Sequence, residues 1–135
     1  MRAMSHLGNV PAGVLVETVE RLVAKMDESD LAAAFARELS TMPPHAFSAF
    51  VESTFEAFRD RGESSEDAVE GAGTTIAGIE ARDERAVSAY LDYVRSNGGV
   101  LKEATVAFVE RHPDLAGTLP PALCSAIAER LARVT

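Results

Sequence analysis

Apolar side chains return every three or four positions along most of the chain, and proline, glycine or a capping residue marks the breaks between the runs. Leu15, Val19, Leu22, Val23 and Met26 keep this spacing and predict an amphipathic helix over 11–27, with Pro11 at its first turn. Ser29 or Asp30 is placed to cap a second helix that carries Leu31, Ala34, Phe35 and Leu39. Pro43 and Pro44 end it and open a third. Phe47, Phe50, Val51, Thr54, Phe55 and Phe58 then form the cleanest stripe in the chain, with Glu52, Glu56, Arg59 and Asp60 off it and Gly62 as a stop.

The fourth segment is weaker. Ser64 or Ser65 can cap it, with Asp67 at capping-box distance from Ser64, but Gly71, Gly73, Thr74, Thr75 and Gly78 lower its propensity and predict a bend or an early stop. Asp83 is placed to cap a fifth helix with Val87, Tyr90, Leu91 and Val94 inward, ended by Asn97-Gly98-Gly99. A sixth carries Leu101, Ala104, Thr105 and Phe108 and stops at His112-Pro113. A seventh opens at Pro120-Pro121 with Leu123, Ile127, Leu131 and Val134 inward. No alternation of period two lies between turn signals, so no sheet is expected. The pattern predicts a compact all-α bundle of about six to seven short helices, one domain over 1–135 with 1–10 as a frayed start.

Two stretches share a pattern. Thr41-Met42-Pro43-Pro44 is followed by Phe47, Ser48, Ala49, Phe50 and Glu52; Thr118-Leu119-Pro120-Pro121 is followed by Cys124, Ser125, Ala126, Ile127 and Glu129. Each follows a helix with a phenylalanine and an arginine, Phe35 and Arg37 or Phe108 and Arg111. A duplicated helix–loop–helix unit is one reading; a chance likeness of Pro-Pro helix starts in an alanine-rich chain is the other.

Composition narrows the function classes. A formal charge of −8 opposes binding to nucleic acid or to anionic lipid, both of which call for clustered Lys and Arg. Lysine occurs only at positions 25 and 102 while arginine and alanine are plentiful, a coding bias that points to a bacterial source. A single cysteine, Cys124, excludes an internal disulfide and a cysteine-based zinc cluster. With no signal-peptide pattern and no apolar run of spanning length, a reducing cytoplasm is the expected compartment.

The residues that carry chemistry are sparse. His6, His45 and His112 make no Glu-x-x-His or His-Glu-x-x-His arrangement, and Glu17/Glu20 and Glu52/Glu56 read as solvated charge, so neither metal nor cofactor is expected. Cys124 matches Phe47 in the shared pattern and reads as a buried thiol rather than a nucleophile. Gly71-Ala72-Gly73 with Gly78 lacks the third glycine of a dinucleotide loop and the Lys of a P-loop, and reads as a close helix crossing. His45, in a first helical turn, could meet an anion, and Phe47 and Phe50 could wall a ligand cavity, although such stripes more often form core. These three are the candidate ligand-binding residues, and the catalytic residues are unknown. Tyr93, off the inner face of its helix, could mark a subunit contact with Phe58.

The leading expectation is a helical protein-interaction or regulatory protein that meets another protein or itself as a homodimer. The alternative is a small-molecule sensor or carrier with a phenylalanine-lined pocket. A third reading is an enzyme in which His45, Glu52 and Tyr93 converge only in three dimensions. An interaction module should expose a broad apolar patch, whereas a carrier should show a concave pocket with a few polar groups turned into it.

Overall fold

Proline and glycine set the helix boundaries. A computed structural model describes residues 10–134. The expected frayed start and His6 lie essentially outside the described residues, as does the inward placing of the Val134 side chain. Within them the chain forms α1 (Ala12–Lys25), α2 (Glu28–Glu38), α3 (Pro44–Asp60), α4 (Ser65–Gly71), α5 (Ile76–Glu80), α6 (Glu84–Ser96), α7 (Val100–Arg111) and α8 (Pro121–Val134). Short 3-10 turns, Leu39–Thr41 and Pro113–Thr118, precede α3 and α8, and no strand occurs among the described residues.

The all-α expectation holds, with eight α-helices here rather than six to seven. The extra one comes from the weak fourth segment, which splits. Gly71 ends α4, Gly73 takes a left-handed φ of +78°, and Thr75 starts α5 by accepting the Gly78 N–H on its hydroxyl at 3.0 Å. The glycines of this region serve close packing as well: a Cβ on Gly71 would stand 2.9 Å from the Tyr93 ring, and one on Gly78 3.0 Å from the Ala86 Cβ. One cap differs from expectation. Asp27, not Ser29 or Asp30, caps α2 by accepting the Ser29 N–H at 3.2 Å. The helix therefore starts earlier, at Glu28, and Ser29 and Asp30 fall inside its first turn. Ser64 and Asp83 cap α4 and α6 as expected.

The core is built round α7, which packs on α3 and α1; its Val100, Leu101, Ala104, Phe108 and Val109 are fully buried. A helix apolar on most of its circumference can be satisfied only in the middle of a bundle. The α3 stripe faces it. Phe50 stacks on Phe35 at 4.4 Å between centroids and meets Phe108 edge-on at 5.9 Å, which joins α2, α3 and α7 through three rings. Below them Thr54 and Tyr90 share a buried hydrogen bond of 2.7 Å, and burial holds the Tyr90 phenol well above its ordinary pKa.

The two Pro-Pro stretches have the same local structure. In each, a threonine hydroxyl donates to the carbonyl three residues back, Thr41 to Glu38 at 2.9 Å and Thr118 to Leu115 at 2.6 Å. Met42 and Leu119 are buried, and a helix starts at the second proline. In the helices that follow, Phe47 and Cys124, then Phe50 and Ile127, are buried while Ser48, Ser125, Glu52 and Glu129 are exposed.

Candidate binding cleft

Helices α2 and α6 pack side by side and run antiparallel. At one end Glu28, the first residue of α2, accepts the Gly99 N–H beyond the end of α6 at 2.9 Å. At the other, Arg82, just ahead of α6, donates to the carbonyl of Leu39, just past α2. The first end is closed: Arg61 donates to the Gly98 carbonyl at 2.9 Å and to Glu103 at 2.7 Å. The second end opens into a cleft of about 430 Å³.

Buried Leu39, Phe47 and Leu91, with half-buried Val87, give this cleft an apolar floor. Glu84, Ser88 and Asp92, one helical turn apart on α6, line its rim opposite Ala36 of α2. Arg82 forms the end wall. Its guanidinium lies over the Phe47 ring, 4.4 Å from the centroid. The side chain is half-buried and, like those of Arg37, Arg85 and Arg130, has no carboxylate within ion-pair distance among the described residues; what sets it apart is its place in the cleft wall.

The backbone that carries Arg82 is unusual. Three helices end in the same double hydrogen bond. After α3 the N–H of Gly62 reaches Arg59 O and that of Glu63 reaches Phe58 O; after α4 Gly73 reaches Glu70 O and Thr74 reaches Val69 O. After α5 Arg82 reaches Ile79 O and Asp83 reaches Gly78 O. This motif requires a left-handed residue, and glycine supplies it at 62 and 73 with φ of +87° and +78°. Arg82 holds φ +59° instead, the one non-glycine residue with positive φ among those described. A Cβ in that conformation costs roughly 1–2 kcal/mol. Strain of this kind, where glycine would fit, points to a use for the side chain.

Of the three sequence candidates, Phe47 lies in the cleft floor under Arg82. Phe50 is in the aromatic core, beside a gap of about 10 Å³, hardly room for a water molecule. His45 is exposed in the first turn of α3 and is not among the cleft residues. Arg82 was missed. Its signal in the sequence was the absence of a glycine between Ala81 and Asp83, where a helix had to stop.

The other polar candidates go to separate places. Glu52 pairs with Arg59 at 3.5 Å. Tyr93 donates to Glu63, a bond that, with burial, raises its phenol pKa, and its ring lies 5.5 Å from that of Phe58. Phe58 is 1% exposed, so its expected role in a subunit contact gives way to one in the core. Cys124 is fully buried with its sulfur 3.3–3.8 Å from the carbonyls of Ala116, Gly117 and Leu119, and burial pushes its thiol up to about 11. Such a thiol is a poor nucleophile, in keeping with a structural role. Among the described residues no group of three or more His, Cys, Asp or Glu could hold a metal ion, and no helix is long and apolar enough to cross a membrane.

No protein-family model, curated protein sequence or solved structure matches this chain.

Proposed function

We propose that this protein is a small-molecule sensor or carrier whose ligand sits in the cleft between α2, α3 and α6. The observation that carries the reading is Arg82: a half-buried cation without a carboxylate partner among the described residues, held in a glycine-type conformation at the end of an apolar-floored cleft. The volume of about 430 Å³ falls in the range of small-ligand sites, and a few charged groups round an apolar floor are their usual chemistry. The surface favours this reading over a protein-docking module. Among the described residues Val14, 43% exposed, is the large apolar side chain left open to solvent. The acidic, arginine-rich composition and single cysteine suit a bacterial cytoplasm.

A native mass spectrum of the protein purified from cells, set against its denatured mass, tests the reading. Extra mass that is lost on denaturation, and is absent from an Arg82→Gly variant, is the expected result. A whole multiple of the chain mass with nothing bound would overturn it and return the homodimeric interaction protein to first place.

A further inference from the structure

We propose that the ligand is a free α-amino acid with an apolar side chain, its carboxylate on Arg82 and its ammonium on Glu84. The inference rests on the binding reading above and is drawn from the charges of the cleft. Arg82 and Glu84 both line it, and neither has an ion-pair partner within 4.0 Å among the described residues, each other included. Asp92, farther along the rim, is already turned toward Arg95 at 3.5 Å. The cleft thus offers one unpaired cation and one unpaired anion, two residues apart in sequence, above Leu39, Phe47, Val87 and Leu91.

A simple carboxylate would meet Arg82 but bring its charge beside Glu84. A simple amine would meet Glu84 but face Arg82. A neutral apolar molecule would strip water from the half-buried Arg82 and replace it with nothing, and would leave the exposed Glu84 on the rim unused. An α-amino acid answers all three features at once: it carries one charge of each sign for the two residues of opposite sign that line the cleft, and its side chain reaches the apolar floor. Arg82 suits the carboxylate end, since a guanidinium offers paired N–H donors to two oxygens and, among the described residues, one carbonyl draws on them.

Calorimetric titration of the full chain tests this with four probes: L-leucine, 4-methylpentanoate (leucine without its amine), 3-methylbutylamine (leucine without its carboxylate) and leucyl-leucine. Leucine is expected to bind, with each one-charge analogue weaker by about tenfold or more. Arg82→Gly should lose leucine and 4-methylpentanoate alike. Glu84→Gln should weaken leucine and, by removing a like charge, leave 4-methylpentanoate binding as well or better, a split that a merely structural role would not produce. Glycine is the favoured residue at φ +59°, so the Arg82→Gly protein is expected to fold. If 4-methylpentanoate binds as well as leucine, the role of Glu84 fails and the cleft reading stands. If leucyl-leucine binds better, the ligand is a peptide and the amino-acid assignment falls. If none of the four binds while the native spectrum still shows an Arg82-dependent ligand, this inference is overturned and the proposed function is not.

Discussion

The two Pro-Pro units begin alike and end in different surroundings. In the first, the position four residues after the first proline is Phe47, and its ring carries the Arg82 guanidinium at the edge of an open cleft. In the second, the same position is Cys124, sealed among three backbone carbonyls with no exposure. The local conformation, the threonine hydrogen bond and the order of buried and exposed positions agree. What differs is the neighbour. α8 packs on α1 and the 3-10 turn before it, whereas α6 leaves a gap beside α3 that a strained arginine borders but does not fill. A repeated local pattern therefore fixes which residues turn inward without fixing what they meet there.

The strongest way to break the comparison is through the second buried position of each unit. Phe50→Ala is expected to lower the unfolding free energy by about 3–5 kcal/mol and Ile127→Ala by about 2–5 kcal/mol, read by urea denaturation. A loss at one position and none at the other would show that the units are alike in outline only. If Phe50→Ala left stability untouched, the core assignment of the stripe would be wrong.

The next contrast depends on pH. The Cys124 thiol is raised to about 11 in the fold, from an ordinary 9.0. Between these values the unfolded chain releases a proton that the folded chain keeps, so stability falls as pH rises through that window, by up to about 1.4 kcal/mol per pH unit. The Cys124→Ala protein should lose that part of the decline; the buried Tyr90 phenol, which acts in the same direction at higher pH, remains in both proteins. At pH 8 a thiol reagent should modify native Cys124 no faster than the chain opens, and rapid labelling would discard the sealed description.

Arg82 sharpens the first unit. Arg82→Gly removes a carbonyl hydrogen bond and a cation–π contact but also relieves the left-handed strain, so stability should stay within about 1 kcal/mol of the parent. Arg82→Ala loses the same contacts and keeps the strain, and should lie about 1–2 kcal/mol below Arg82→Gly. Equal melting temperatures for the two variants would remove the strain argument. The smallest effects belong to the threonines. Thr118→Val, at the half-buried, shorter bond, should cost about 1 kcal/mol, and Thr41→Val, at an exposed one, less.

By itself the sequence determined the helices and their inner faces. Helical periodicity, Pro44 and Pro121 at helix starts, the caps at Ser64 and Asp83 and the stop at Gly62 are local facts that act within a turn or two of chain, so they could be read from it directly. The same local logic placed Phe50 and Cys124 inside and read Gly71 and Gly78 as close-packing positions. It missed the cap at Asp27, where four polar residues in a row, Asp27 to Asp30, offer competing starts, and could not foresee how the glycine-rich fourth segment would divide. The cleft was out of reach for a different reason. Its members come from α2, α3, the end of α5 and α6, and nothing in their spacing says that Arg82 would lie over Phe47 or that Glu84 would face the same space. Only the antiparallel packing of α2 on α6, and the helix stop that turns Arg82 toward Leu39, decided that, because a cavity is a property of how elements fail to fill space between them rather than of any element alone.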